Sequence, residues 1–383
     1  MDLLDPAFWL DPYPVFAELR RTTPVLWHEE SQLWSVARHA DILRISRDPQ
    51  AFCSGKGVLP ADRERGVTPE ASMLFLDPPE HHRYRKLVSP AFTPRRIAAL
   101  EQRVGVLADD LLDAIEPGTE VELAETVAAP LPLLVIAELL GIPATDHEQF
   151  RSWSDAMIDA AMEPDVETLR IAGELWHYFE AIVDRRRTDP ADDVVSVLAH
   201  AEVDGELLTD AELNGFCMTL LVAGNETTRN LVTGGVEALA EHPEQMKRLV
   251  SDRTLVPTAV DEMLRWVTPV MNFARTATTD VVLDGQQIAA GDFLLMLYGS
   301  ANRDESAFGS TADQFDVGRT PNPHVSFGFG EHFCLGNALA RLEARVLFDQ
   351  LARRFSTVEL AGQPERLRSN LMRSLVRLPV VLS

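Results

Sequence analysis

Cys334 sits in Phe327-Gly328-Phe329-Gly330-Glu331-His332-Phe333-Cys334-Leu335-Gly336, where Gly328, Gly330 and Gly336 suit tight turns and close approach of the backbone to another group. An amphipathic helix begins directly after it, with Leu339, Leu342, Val346 and Leu347 on one side. A thiolate at a helix N-terminus is stabilised by free N–H groups and by the positive end of the dipole. These residue types therefore suit an anionic sulfur ligand, which would donate electron density to a bound iron and favour O–O cleavage. The competing reading is a buried free cysteine in a glycine-rich turn.

About a hundred residues earlier stands Leu220-Leu221-Val222-Ala223-Gly224-Asn225-Glu226-Thr227-Thr228-Arg229-Asn230. Thr209 and Glu212 form a capping-box pattern that starts a helix there, and Pro243 should end it. Thirty-odd residues at helical rise span roughly 45–50 Å, enough to cross the whole molecule. Midway along lie an acid and a hydroxyl, Glu226 and Thr227, preceded by Ala223 and Gly224, small enough to let a flat ligand reach the backbone. Polar groups inside a buried helix are costly unless they hydrogen-bond or work, and an alcohol beside a carboxylate can relay protons from water. A cap or a kink in a core helix is the alternative.

Three further patterns are weaker when taken singly. Glu262 and Arg265 lie three apart on one helix face, an arrangement that is usually a solvated surface pair. Arg319, in Phe315-Asp316-Val317-Gly318-Arg319, is a third candidate for the same charge cluster. In Asp77-Pro78-Pro79-Glu80-His81-His82-Arg83-Tyr84-Arg85, His81 and Arg85 stand four apart on a basic helix, where they could bind carboxylates through charge-assisted hydrogen bonds. Arg275, in Phe273-Ala274-Arg275-Thr276, is a further cation.

The elements that must position these residues are mostly helical. Apolar periodicity predicts helices over 97–115, 145–162, 167–187, 209–240, 256–267 and 336–354. Strand patterns cover Leu33 to Val36, Val281 to Leu283 with an Asp284-Gly285 hairpin turn, Phe293 to Tyr298, and Leu375 to Leu382. No linker, repeat or low-complexity tract interrupts residues 1–383, which read as one domain, mainly α with small β-sheets. The irregular segments 52–76 and 299–333 are long enough to carry function.

The chain is 46% hydrophobic and 25% charged, as expected for a protein with a large core, and its formal charge of -24 argues against nucleic acid as a partner. The first ten residues carry Asp2 and Asp5 and no basic lead, so neither a signal peptide nor a membrane anchor is expected. The apolar stretch Phe216 to Gly224 falls short of the roughly 20 residues a bilayer span needs, and a cytoplasmic location is the default. Cys53, Cys217 and Cys334 form no CxxC or CxxCH, which speaks against a zinc knuckle and covalently attached haem.

Phe327 to Gly336 resembles the haem-binding loop of cytochromes P-450, and the resemblance extends from Asp11-Pro12-Tyr13 to the C-terminal hairpin. It implies the cytochrome P-450 fold, with haem b (iron protoporphyrin IX) between the long central helix and the cysteine-loop helix, and Cys334 on the iron. It further implies that Phe327, His332, Gly336, Ala223 and Gly224 contact the haem, with His81, Arg85, Arg275 and His332 at its propionates. Glu226 and Thr227 become the acid–alcohol pair, with glutamate giving a longer reach than the also common aspartate. Glu262, Arg265 and Arg319 become structural. The implied reaction inserts one atom of O2 into a C–H bond of a lipophilic small molecule, the other leaving as water.

With no GxGxxG and too few cysteines for a cluster, the electrons should come from a ferredoxin and its reductase. Arg85, Lys86, Arg95, Arg341 and Arg345 are candidates for docking it. Segments corresponding to the family's pocket supply Met73, Leu74, Met157, Val270, Met271, Phe273, Leu371 and Met372, an apolar and methionine-rich set that adapts to irregular shapes. The wording of Ala223 to Asn230 and of Ala301 to Ser306 resembles bacterial members acting on steroids, terpenoids and branched lipids, with polyketide or other secondary-metabolite tailoring as the alternative. Segments 52–76 and 160–170 are plausible lids. Outside this class, a zinc hydrolase built on His324, His332 and Cys334 would lack a general base. A haem sensor or carrier would not need Glu226 and Thr227, and a peroxide-driven peroxygenase would not need an intact relay.

Overall fold

Thr209 and Glu212 start the element around which the molecule is arranged. The Thr209 hydroxyl accepts the Glu212 N–H at 3.1 Å, and the Glu212 carboxylate accepts the Thr209 N–H at 2.8 Å. This satisfies two otherwise orphaned helix donors reciprocally. The central helix then runs Asp210–Glu241 and stops where His242 precedes Pro243, the first residue of the helix Pro243–Ser251.

The structure is a computed structural model that describes residues 2–65, 72–162 and 166–383, with residues 64–65, 155 and 157–162 described by backbone alone.

Glycines on the central helix set how closely its neighbours approach. A Cβ at Gly234 would lie 2.6 Å from Val267, and one at Gly235 would lie 2.7 Å from Phe348. The helices Val256–Val267 and Asn337–Arg354 therefore pack at a distance that only hydrogen side chains permit. On another side lies Pro130–Leu140, whose sequence PLPLLVIAELL is apolar all round because eight of its eleven residues are buried. The same uniformity leaves no 3.6-residue period to read, so this helix has no signal in the sequence.

Most predicted helices form near their expected limits: His147–Met162, Val166–Thr188, Val256–Val267 and Asn337–Arg354. The predicted 97–115 helix is two pieces, Pro94–Ala99 and Glu101–Asp113. Periodicity also misses Tyr13–Thr22, His39–Arg47 and Val194–Ala199, which are short.

The main sheet has five strands in the order Val25–His28, Leu33–Val36, Phe293–Leu297, Asn272–Ala277 and Phe52–Cys53, with a parallel pairing only between the second and third. Both of its faces are covered. Leu294 and Met296 join a core with Val36 and Ile42, whereas Phe293, Leu295 and Leu297 join one with Phe16 and Leu33. The hairpin Val281–Leu283 to Gln286–Ile288 turns at Asp284 and Gly285, both at positive φ, as a tight Asp-Gly turn requires. The expected C-terminal strand divides into Leu375–Arg377 and Pro379–Leu382, since Pro379 has no N–H for a continuous ladder. Among the described residues, no helix is long and apolar enough to cross a membrane.

Candidate active site

The cysteine loop is a succession of short backbone bonds. Gly328 N–H reaches Val325 O at 2.8 Å, Phe333 N–H reaches Gly330 O at 3.1 Å, and Cys334 N–H returns to Phe327 O at 2.9 Å. Gly330 adopts φ +71, and a Cβ there would sit 1.9 Å from the carbonyl oxygen of Ser46 in the helix His39–Arg47. Only glycine fits that contact. Gly336 is the N-cap of Asn337–Arg354, and the Asn337 amide donates to the Cys334 carbonyl at 2.7 Å. Burial pushes the Cys334 thiol up, while the Gly336 N–H, the charges of Arg85 and Arg341, and the Asn337 N–H pull it down. Phe327 packs between His324 and Phe333 and carries the Arg341 guanidinium 4.5 Å above its ring.

Beside this loop three predicted cationic positions converge. His81 is 1% exposed, and neither ring nitrogen has a hydrogen-bond partner. Its ring lies 4.3 Å from that of His332, whose Nε2 meets the Ser54 hydroxyl at 3.1 Å. Arg275 is buried, donates to the Ala274 carbonyl at 2.6 Å and has no ion pair among the described residues. Burial first, then Arg275, His81 and Arg85, push His332 down to about 2. Burial and then Arg85 lower His81, and burial lowers Arg275. A buried basic region that suppresses its own protonation is matched to incoming anions. Two carboxylates would fit the orphaned nitrogens, and the adjacent thiol is a ligand for a soft or borderline metal. The residues fit haem b.

His82 turns outward to Glu331 at 2.6 Å and is exposed. His81, His82 and Glu331 are the only such group among the described residues with ligand atoms close enough to hold a metal ion. His324, which contacts Asp261 at 3.5 Å, forms no such group with His332 and Cys334, so the zinc-hydrolase alternative has no centre.

On the central helix, Ala223 is exposed while Asn225, Glu226 and Thr228 are buried. The Thr227 hydroxyl donates back to the Ala223 carbonyl at 2.6 Å. Gly224 differs from expectation: a Cβ there would meet Ile136 at 3.0 Å, so its glycine serves helix packing, and Ala223 is the small residue on the open face. Glu226 does not bond Thr227. One carboxylate oxygen accepts the Ser374 hydroxyl at 2.8 Å; the other lies 3.6 Å from Arg229 without a hydrogen bond. Ser374 and Ser54 are partners the sequence did not indicate, because both come from distant segments with no motif of their own.

Glu262 and Arg265 form a bidentate pair at 2.7 and 2.8 Å, both 0% exposed, and Arg319 reaches Glu262 at 3.0 Å. Arg265 also donates to the carbonyls of Asn302, Ala312 and Gln314, and Arg319 to those of Thr311 and Gln314. Every charge in this cluster is answered within the protein.

Of the expected pocket residues, Met73 and Leu74 lie in a 3-10 turn, Val270 bridges Met372, and Phe273 and Leu371 are half-buried. Met271 is a correction. It is 2% exposed and packs into the core with Phe16 and Leu295, with its methyl 2.5 Å from where a Gly299 Cβ would be. Met271 precedes the strand Asn272–Ala277, so the alternation that places Phe273 against the Val36 and Ile42 core does not govern it, and it joins the Phe16 core instead. Met157 lies in the helix His147–Met162, but its side chain is outside the described residues, as are residues 66–71 and 163–165 of the two expected lids.

A family model described as cytochrome P-450 matches residues 139–381. A linalool 8-monooxygenase of Pseudomonas putida is 38% identical over 100% of this chain and 98% of its own length. A methyl-branched lipid omega-hydroxylase of Mycobacterium tuberculosis is 40% identical over 96% of this chain and 90% of its own. The solved structure of a Mycobacterium marinum cytochrome P-450 in complex with pseudoionone superposes with a TM-score of 0.88 at 38% identity, covering 99% of this chain and 98% of that one.

Proposed function

The chain belongs to the cytochrome P-450 family and is a haem b monooxygenase, and from that premise we propose that it hydroxylates a terpenoid, steroid or methyl-branched lipid with electrons from a separate ferredoxin and its reductase. The observation that carries the substrate class is the lining: Met73, Leu74, Val270, Phe273, Leu371 and Met372 are all half-buried and apolar, and none brings a charge. The three relatives act on or bind linalool, a methyl-branched lipid and pseudoionone, which share branched hydrocarbon chains.

Haem b, when bound, supplies the reductive activation of O2. The protein supplies the rest. Cys334 provides the anionic ligand at a helix N-terminus, and His81, His332, Arg275 and Arg85 provide donors for the propionates. Thr227 holds its hydroxyl at the Ala223 carbonyl, on the open face of the central helix, where it can pass a proton on. Glu226 is the acid that reloads it, and it must leave Ser374 or exchange protons through water to do so.

The ferredoxin reading rests on charge. Arg341 is held by Asp261 and Arg345 by Glu101, whereas Lys86 and Arg95 are exposed and make no ion pair among the described residues. Phe333, next to Cys334, is 37% exposed and offers an apolar contact. Such a patch would guide an acidic carrier despite the acidic remainder, in a salt-dependent way. The chain would act as one domain, in the cytoplasm where such carriers are reduced.

Optical titration of the ferric protein with linalool, a methyl-branched fatty acid, a steroid and a macrolide tests the substrate class. A low- to high-spin shift with one of the first three is expected. A shift with the macrolide alone would replace the reading by secondary-metabolite tailoring.

A further inference from the structure

Ser374 is buried at 2% exposure and donates its hydroxyl to Glu226 at 2.8 Å, although 148 residues separate them. It is the only hydrogen-bond partner of the Glu226 carboxylate among the described residues: Oε2 has none, and Arg229 stands off at 3.6 Å. A buried carboxylate with one donor takes its orientation from that donor. The donor belongs to the segment 369–375, which also carries Leu371 and Met372.

That segment is pinned along its length. The Ser369 hydroxyl accepts the N–H groups of Leu371 and Met372 at 3.2 and 3.0 Å. The Met271 N–H donates to Leu371 O at 2.8 Å, the Arg373 N–H to Pro269 O at 3.0 Å, and the Leu367 N–H to Ser374 O at 3.1 Å. Val270 bridges Met372. A segment held this way moves as a unit, so pressure on Leu371 or Met372 is felt at Ser374.

We propose that Ser374 is a positioning residue for Glu226, tying the acid of the proton relay to the segment against which substrate rests. The inference rests on reading Glu226 and Thr227 as the relay and Leu371 and Met372 as substrate-facing. Substrate seated on this segment fixes the Ser374–Glu226 bond and with it the direction in which the carboxyl can offer a proton. When the bond is absent, the carboxylate swings toward Arg229 and proton delivery loses its timing. O2 then leaves with two electrons and two protons as hydrogen peroxide, instead of giving one atom to product and one to water.

The test compares Ser374→Ala, Ser374→Thr, Glu226→Gln and the Ser374→Ala/Glu226→Gln double variant as holoenzymes. Peroxide formed per NADPH consumed is measured with a ferredoxin and its reductase, using the strongest spin-shifting compound of the titration panel and again without it. Infrared spectra of the same proteins locate the Glu226 carboxyl band as the one lost in Glu226→Gln. Ser374→Ala should raise the peroxide fraction at least about threefold, the low end of what one lost hydrogen bond is worth. It should also shift the carboxyl band, and Ser374→Thr should restore both. In the double variant, losing Ser374 should add nothing to the Glu226→Gln defect.

An unmoved band and peroxide fraction in Ser374→Ala, with Glu226→Gln defective, would overturn the inference alone. Additive defects in the double variant would do the same, since Ser374 would then act elsewhere. A Glu226→Gln protein as well coupled as the parent would overturn the relay itself and take the inference with it.

Discussion

Two buried, charge-rich regions both draw on the segment 302–334, and they are built on opposite rules. Around Glu262 every charge has its partner: two arginines, Asn322 and the Asp316 N–H answer the carboxylate, and four backbone carbonyls absorb the remaining guanidinium donors. Around His81 little is answered: neither imidazole nitrogen has a hydrogen bond, the Glu331 carboxylate stands 3.9 Å from one of them, and Arg275 has one neutral acceptor. Burial alone does not separate structural from functional charge here, because both regions are nearly inaccessible. Satisfaction does. A closed network specifies a fold, whereas a buried excess of donors is costly to keep and is retained where a ligand completes it.

The largest effect expected from this contrast is at the closed network. Arg265→Ala leaves Glu262 with half of its pair and strips the Asn302 and Ala312 carbonyls of their donor, while Gln314 keeps only Arg319. Breaking a buried pair from one side costs about 3–5 kcal/mol, so the variant should lose its cooperative unfolding transition or its soluble expression. This should happen with or without haem. A variant that folds normally but binds no haem would move the cluster into the cofactor site.

Glu343, on the cysteine-loop helix, belongs to neither class. It is 1% exposed, one of its oxygens has no partner, and burial pushes its carboxyl up to about 8. The folded state therefore binds a proton that the unfolded state releases above its ordinary carboxyl range. Stability contributed by the protonated form is present at low pH and is lost as pH rises towards 8. Glu343→Gln keeps the shape without the charge. It should match the parent near pH 5 and exceed it by ~2–3 kcal/mol near pH 8, less than the full shift implies because water and relaxation soften such sites. Denaturant titrations at the two pH values measure this, and identical differences at both would show that the carboxyl does not titrate with folding.

How much of this was legible in the residues follows the same division. The cysteine loop was readable because its constraints are local: Gly328 and Gly330 take positive φ, and Gly336 must cap a helix. The closed network was readable as Glu262, Arg265 and Arg319, though the carbonyls that complete it come from turns with no signature. Pairing across the fold was not readable. Glu226 and Thr227 are neighbours in sequence, yet the Thr227 hydroxyl bonds back to Ala223 on its own helix, and the Glu226 carboxyl bonds Ser374, which only tertiary structure brings near. Nor was direction: Gly224 and Met271 carried the right composition for a ligand pocket but turn into packing against Ile136 and Phe16. Pro130–Leu140 escaped for the reverse reason, since burial on all sides erases the pattern that marks a helix.

The smallest effect is also the one that separates the two regions most cleanly. Arg275 is a buried cation with no ion pair among the described residues, and burial outweighs the attraction of Asp77. Arg275→Leu removes that unpaired charge and keeps much of the volume, so the apoprotein should unfold at the same point or gain ~1–2 kcal/mol. The holoprotein should behave oppositely. Without the guanidinium, a propionate loses its charge-assisted partner, and haem should transfer to a scavenger such as apomyoglobin faster than from the parent, by a factor on the order of ten. A substitution that strengthens the empty protein and weakens the filled one marks a group kept for its ligand. Equal destabilisation of both forms would instead place Arg275 with Arg265, as part of the scaffold.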